Sequence, residues 1–250
     1  MAREFKVKPV PAGFWLETAE ALRTGLITAI QPNPRGSNYT FFVRVSPDSR
    51  PPLLAVYKPR AGEVPLWDFP EGTLYRREYA AYLVSQALNW RFIPPTVIRE
   101  GPHGVGIVQL FIEPTGTYLN LRGDSRYLPI LERIALFDLI TNNADRKAHH
   151  CLRDAEGRIW GIDHGLTFNV VFKLRTVLWE FVDRPITPKL LREIAVLLPE
   201  HPAGARLAAE LRELLDPAEV EVFHRRIRHV LKTGRFPRLD PYRNVPFGWW

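Results

Sequence analysis

The sequence predicts an α+β protein of two lobes, with strands concentrated before about Ile112 and helices after it. Three observations carry that expectation. Short apolar runs separated by Gly, Pro, Asn and Ser clusters fill the first half, and amphipathic helical patterns fill the last quarter. Between them, residues 136–168, LFDLITNNADRKAHHCLRDAEGRIWGIDHGLTF, join a helix end to a hairpin with an acid at each end. The expected division is an N-terminal lobe over residues 1–112 and a C-terminal lobe over residues 113–250.

The elements follow in order. Residues 12–24 carry Phe14, Trp15, Ala19 and Leu22 at helical spacing and stop at Gly25. Residues 26–30, 39–45 and 53–58 are strand-like and form an antiparallel meander. Its first turn holds Gly36, Ser37 and Asn38, whose backbone N–H groups and hydroxyl suit phosphate; an ordinary hairpin turn is the competing reading. Lys58 ends an apolar strand, where an unpaired ammonium is costly, so a phosphate or a carboxylate is expected beside it unless the side chain reaches water. Pro59 ends that strand.

After a turn-rich loop holding Trp67 and Phe69, Thr73 is placed to cap a helix running to about Leu88. Glu78 lies beside its buried face, where a carboxylate reaches Lys58. Residues 92–98 and 105–112 complete the sheet, the second run being apolar enough for an interior strand. It leads through Glu113, Pro114, Thr115 and Gly116 into the helical half. There the main chain around Gln109, Leu110, Phe111 and Ile112 is placed to bind a purine edge.

The chemistry concentrates in the next stretch. Leu131, Ile134, Ala135 and Leu139 mark a helix that ends at Asn142 and Asn143, residues that tolerate a helix-closing turn. Asp145 therefore falls in a loop, and Asp163 ends a hairpin of residues 150–152 and 158–162. Phosphoryl transfer needs such a pair: Asp145 to orient or deprotonate an attacking hydroxyl, Asp163 to hold a divalent ion. Gly165 is expected to supply the turn that points Asp163 inward. Each acid alone also reads as a helix-end or hairpin-end residue.

Asp138, Asn143, Asp145 and Arg146, followed by Ile162, Asp163, Gly165 and Phe168, resemble the catalytic core of the phosphatidylinositol 3- and 4-kinases, especially the type II 4-kinases, and of HipA-type protein kinases. The segments VYKP, PLWDFPEGTL, NNADRK, IDHGLTF and RTVLWE are similar to a bacterial branch of that superfamily. The resemblance implies a protein-kinase-like fold, ATP and Mg²⁺ as cofactors, Lys58 on the phosphates and Asp145 as the catalytic aspartate that orients or deprotonates the hydroxyl. One departure stands out. Where the superfamily places a metal-binding Asn, five residues after the acid, this chain has His150. His150 and Asp163 are then the metal ligands, and because imidazole suits Mn²⁺ better than Mg²⁺, Mn²⁺ is an alternative ion. Hydrogen bonding to Asp145 is the other role open to His150.

Residues 169–179 lack periodicity and hold Lys173 and Arg175, cations that either meet an anionic acceptor or are plain loop charges. Residues 187–198, 203–215 and 217–232 read as amphipathic helices, the last capped by Asp216 with Pro217. The tail, residues 236–250, is aromatic enough to pack back on the domain.

Composition bounds the function. A net charge of +7 invites an anionic partner, but the basic run of residues 224–238 has acids just upstream and reads as a solvated helix face rather than a nucleic-acid site. One cysteine, Cys151, excludes an intramolecular disulfide framework, and no signal or membrane-spanning segment is evident, so a cytoplasmic protein is expected. The combined reading is a phosphotransferase acting on a hydroxyl of a protein, metabolite or lipid. The alternatives are a nucleotide-binding regulatory module without catalysis and a basic nucleic-acid-binding protein.

Overall fold

The computed structural model describes residues 10–11, 13–34, 39–48 and 50–248. Five strands form the first sheet: β1 (Leu26–Pro32), β2 (Phe41–Ser46), β3 (Leu53–Pro59), β4 (Thr96–Gly101) and β5 (Gly104–Leu110), in the order β1-β2-β3-β5-β4. All pairings are antiparallel. Alternation decides its faces. Phe41, Val43 and Val45 of β2 and Ala55 and Tyr57 of β3 point to one core with Val97 and Val108. Helix α1 (Phe14–Thr24) covers that core with Ala19 and Leu22. Lys58, next along β3, is therefore directed to the other face. At Gly106, opposite Pro59, a Cβ would come within 2.3 Å of the Lys58 carbonyl oxygen, so β5 can lie this close to β3 only without a side chain there.

Helix α2 (Leu74–Ala87) crosses from this sheet toward the second half. Thr73 precedes it, as the sequence suggests, but makes no side-chain cap; its hydroxyl bonds the Pro70 carbonyl. Glu63 caps instead, accepting from the N–H groups of Leu74 at 3.0 Å and Tyr75 at 2.8 Å. A carboxylate at a helix N-terminus also meets the positive end of the helix dipole. The strand expected over residues 92–98 begins only at Thr96, because Pro94 and Pro95 have no N–H to give a ladder. Phe92 and Ile93 plug into the core as irregular chain.

The second half is mainly helical. Strand β6 (Gly116–Thr117) and helices α3 (Tyr118–Leu121) and α4 (Leu128–Thr141) precede the hairpin of β7 (Cys151–Arg153) and β8 (Ile159–Gly161), which with β6 forms a three-stranded sheet. Helix α4 is apolar on nearly every side over its last two turns and runs through the larger core. Asn142 closes it in the left-handed conformation, φ 57°. Helices α5 (Pro188–Ala195), α6 (Pro202–Arg212) and α7 (Pro217–Thr233) form the scaffold, each with proline in its first turn. Asp216 and Glu219 make a reciprocal cap on α7, and His201 caps α6.

This is the two-lobed α+β arrangement expected from the sequence, a sheet-rich half followed by a helical one. The basic run along α7 is not a uniformly solvated face. Arg226 bonds the carbonyls of Ile140 and Asn169, His224 is buried, and Arg228 pairs with Glu200. No helix among the described residues is long and apolar enough to cross a membrane.

Candidate active site

Lys58, Glu78, Asp163 and His150 come together from four elements. Lys58 Nζ lies 2.9 Å from both carboxylate oxygens of Glu78 and 3.0 Å from Oδ1 of Asp163. The other oxygen of Asp163 is 3.2 Å from Nε2 of His150. On the far side of the imidazole, Nδ1 lies 2.9 Å from the main-chain oxygen of Asp145. One imidazole thus links the two acids that the sequence singles out. Its contact to Asp145 is with the carbonyl, not the carboxylate, which pairs with Lys147 Nζ at 3.0 Å.

Burial sets the charges. Glu78 is 2% exposed, and burial pushes its carboxyl up, opposed by the adjacent Lys58. Burial works against the charge of Lys58 too, but Asp163 and Glu78 outweigh it and raise the ammonium above its ordinary value. Lys58 holds the carboxyl of Asp163 well below the usual range, against the cost of burial and helped by His150. Asp163 is the wettest of the three, its side chain 48% exposed, so it carries the most accessible negative charge of the set. Burial raises Asp145, with His150 and Lys147 opposing.

The loop is held from below by Arg146. This fully buried guanidinium makes two bonds to Asp138, from Nε at 2.7 Å and Nη2 at 2.8 Å, and Nη1 reaches the carbonyls of His150 and Ile162. It thereby spans both arms of the site. Asn143 accepts the Asp145 N–H and donates to Asp138, fixing the turn in which the acid sits. His164 completes the lock, its Nε2 2.7 Å from Arg146 Nη2; burial and that guanidinium keep its ring neutral. Sequence reasoning missed Lys147 and His164 as parts of the site. Their only signal is adjacency to Asp145 and Asp163.

The turn that aims Asp163 is its own. Asp163 adopts a left-handed backbone, φ 62°, whereas Gly165 does not, and a Cβ at Gly165 would meet nothing nearer than 3.6 Å. The expectation that Gly165 supplies the turn is corrected accordingly. A non-glycine residue in this region carries strain that its surroundings must hold, here the bonds to Lys58 and His150.

The donor set fits a divalent cation on a nucleotide. Nδ1 of His150 lies between the Asp145 carbonyl at 2.9 Å and the Lys147 N–H at 3.3 Å, and Nε2 lies 3.2 Å from Asp163, so a ring nitrogen and a carboxylate oxygen stand side by side where an ion would bind. No group of three or more His, Cys, Asp or Glu residues forms a closed cage among the described residues. An ion held by Asp163 and His150 would need its other ligands from phosphate and water.

Gly36, Ser37 and Asn38 lie outside the described residues. In β5, Gln109 pairs with Val56 and Thr96, and its side chain is buried on Thr96 Oγ1 at 2.8 Å. The N–H groups of Leu110 and Phe111 are bonded to the carbonyls of Pro95 and Leu54. Among the described residues no hydrogen bond reaches the main chain of Ile112 or Glu113. Lys173 is not a free cation: Nζ pairs with Asp68 at 2.5 Å and sits over Trp67. The tail folds back, Asn244 accepting from Thr176 and donating to the Leu174 carbonyl.

No family model matches the sequence. Protein Rv2133c of Mycobacterium tuberculosis is 35% identical over 261 aligned positions, covering 90% of this chain and 93% of that protein. Among solved structures, hydra Fam20 with sugar matches with a TM-score of 0.64 at 14% identity, covering 92% of this chain and 91% of that one. The Golgi casein kinase with Mn/ADP bound matches at 0.57 and 15% identity, over 89% and 76% of the two chains. At these identities the structural likeness shows the two-lobed kinase fold and nothing finer.

Proposed function

This chain belongs to the family of Rv2133c, and on that premise we propose that it is an ATP-dependent phosphotransferase that moves the γ-phosphoryl group to a hydroxyl-bearing acceptor. The observation that carries this is the Lys58 ammonium, clamped by buried Glu78 and reaching Asp163. A lysine fixed in this way is set to lie against the α- and β-phosphates. The kinase fold of the Mn/ADP-bound neighbour supports a nucleotide with a divalent ion. The spacing of Asp138, Asp145, Arg146 and Asp163 supports a place in the phosphatidylinositol 3-/4-kinase-like superfamily, next to the HipA-type enzymes. The lobe boundary is placed near residue 112, and the buried thiol Cys151 fits a reducing, cytoplasmic setting.

In the mechanism, Asp163 and His150 would hold the ion, Mg²⁺ or Mn²⁺, which would supply charge that offsets the phosphates. The main chain of Ile112 and Glu113, which no protein group occupies among the described residues, receives the adenine edge. Asp145 accepts a hydrogen bond from the acceptor hydroxyl and takes its proton, while Lys147 keeps the carboxylate oriented. Arg146 holds both acid-bearing segments to one framework, so positioning and electrostatics carry the acceleration.

The test is Asp163→Ala with ATP and Mg²⁺ or Mn²⁺. Turnover falls by about 10²–10³-fold, the scale for losing one preorganised electrostatic contact. Unchanged turnover removes Asp163 from the site. A second reading, a nucleotide-binding regulatory module, is favoured by one observation: both oxygens of Asp163 are already engaged, by Lys58 and His150. It predicts nucleotide-dependent thermal stabilisation with no phosphate released or transferred.

A further inference from the structure

A cavity of about 300 Å³ opens beside the catalytic loop, away from the Lys58 clamp. Ala148, three positions beyond Asp145, lines it, and so does Thr176, which forms a bridge with Arg146. Its walls are otherwise aromatic and aliphatic, including Tyr118, Trp179 and Val245. Arg122 is the single charged side chain lining it. Among the described residues no acid pairs with Arg122. The Tyr118 hydroxyl is turned away onto Glu180, 2.7 Å distant, which leaves its ring to the cavity.

The last wall comes from the tail. Asn244 is bonded to both Leu174 and Thr176, and Arg175 and Val177 are bonded in turn to Asn143 and Arg146. A short ladder therefore runs from the tail to the loop that carries Asp145, and it seats Val245 in the cavity wall. The volume, about 300 Å³, is at the small end of metabolite sites.

We propose that this cavity holds the phosphoryl acceptor, a small hydroxylated anion bearing a carboxylate or phosphate, with Arg122 gripping its charge and the C-terminal tail closing over it. The inference rests on the phosphotransferase reading. Guanidinium matches planar or tetrahedral oxyanions bidentately, and the apolar walls favour a compact carbon frame. In the transfer, the acceptor oxygen bonds the γ-phosphorus as the bond from that phosphorus to the β–γ bridging oxygen breaks. ADP leaves with the electron pair, and the hydroxyl proton passes to Asp145.

The experiment incubates the full chain with γ-labelled ATP, Mn²⁺ and a metabolite extract of the source organism, split by anion exchange into anionic and neutral fractions. A phospholipid vesicle arm and a protein arm run in parallel. Label is expected in the anionic fraction, and Arg122→Ala and Val245→Trp each lower it at least tenfold while the nucleotide-dependent rise in Tm persists. Label in the neutral, lipid or protein arm alone, or transfer indifferent to both substitutions, overturns the acceptor assignment and leaves the kinase reading standing. Label in no arm overturns it as well. A chain that neither transfers label nor gains Tm with nucleotide brings down the kinase reading itself.

Discussion

Lys58 Nζ and Asp163 Oδ1 stand 3.0 Å apart although 105 positions separate them in the chain. That contact joins the end of β3, an interior strand of the N-terminal sheet, to the end of the second hairpin, and His150 carries it on to Asp145. The site is therefore one connected set of polar contacts across both lobes rather than two half-sites that meet only around a ligand.

If His150 and Asp163 hold the ion as proposed, His150 decides which ion the site prefers. Replacing it with the amide of His150→Asn gives an oxygen ligand, which a hard cation prefers. The ratio of Mg²⁺- to Mn²⁺-supported turnover is expected to rise about tenfold. Steady-state rates in the two ions measure it, and an unchanged ratio takes His150 out of the metal's coordination.

Gly106 governs the height of Lys58. A methyl group there would overlap the Lys58 carbonyl and Pro59 Cα, both backbone atoms that cannot move without shifting β3. Gly106→Ala is expected to cost about 1–3 kcal/mol, as other overpacked substitutions do, and to weaken nucleotide binding. Urea denaturation and calorimetric titration with ATP read the two effects. Wild-type values in both would show that β3 and β5 have slack at this point.

His224 makes stability depend on pH. Burial, with Arg228 and Arg212 nearby, lowers its pKa from 6.5 to about 4. Between those values the unfolded chain binds the proton and the native chain does not, so the stability His224 contributes is fully present above about 6.5 and is lost as pH falls toward 4. The loss is at most roughly 3 kcal/mol at 1.36 kcal/mol per unit. Denaturation at pH 7 and pH 5 is expected to show a clear decline in wild type and a flatter profile in His224→Phe. Parallel profiles would mean that other groups carry the slope.

Much of this was legible from sequence because it is written locally. The alternation in β2 and β3, the Asn142 helix end and the acid-flanked hairpin each follow from neighbours within a few residues. What escaped depends on partners distant in sequence. Nothing near Thr73 announces that Glu63 caps α2, and nothing near Lys173 announces Asp68. The backbone of Asp163 is left-handed with its side chain bonded to Lys58 and His150, partners that no local pattern encodes. Residues 92–95 read as strand because they are buried, yet consecutive prolines keep them from pairing.

Arg77 stands one position before Glu78, buried in α2. It pairs with Glu219 of α7 at 2.6 Å, bonds the Thr167 carbonyl at 2.8 Å and stacks on Phe69. The helix that presents Glu78 is thus bolted to the far lobe beside the carboxylate that matters. Breaking such a buried pair costs about 3–5 kcal/mol, a large share of a domain's stability. Any swing of α2 away from the site must therefore first break the Arg77–Glu219 pair.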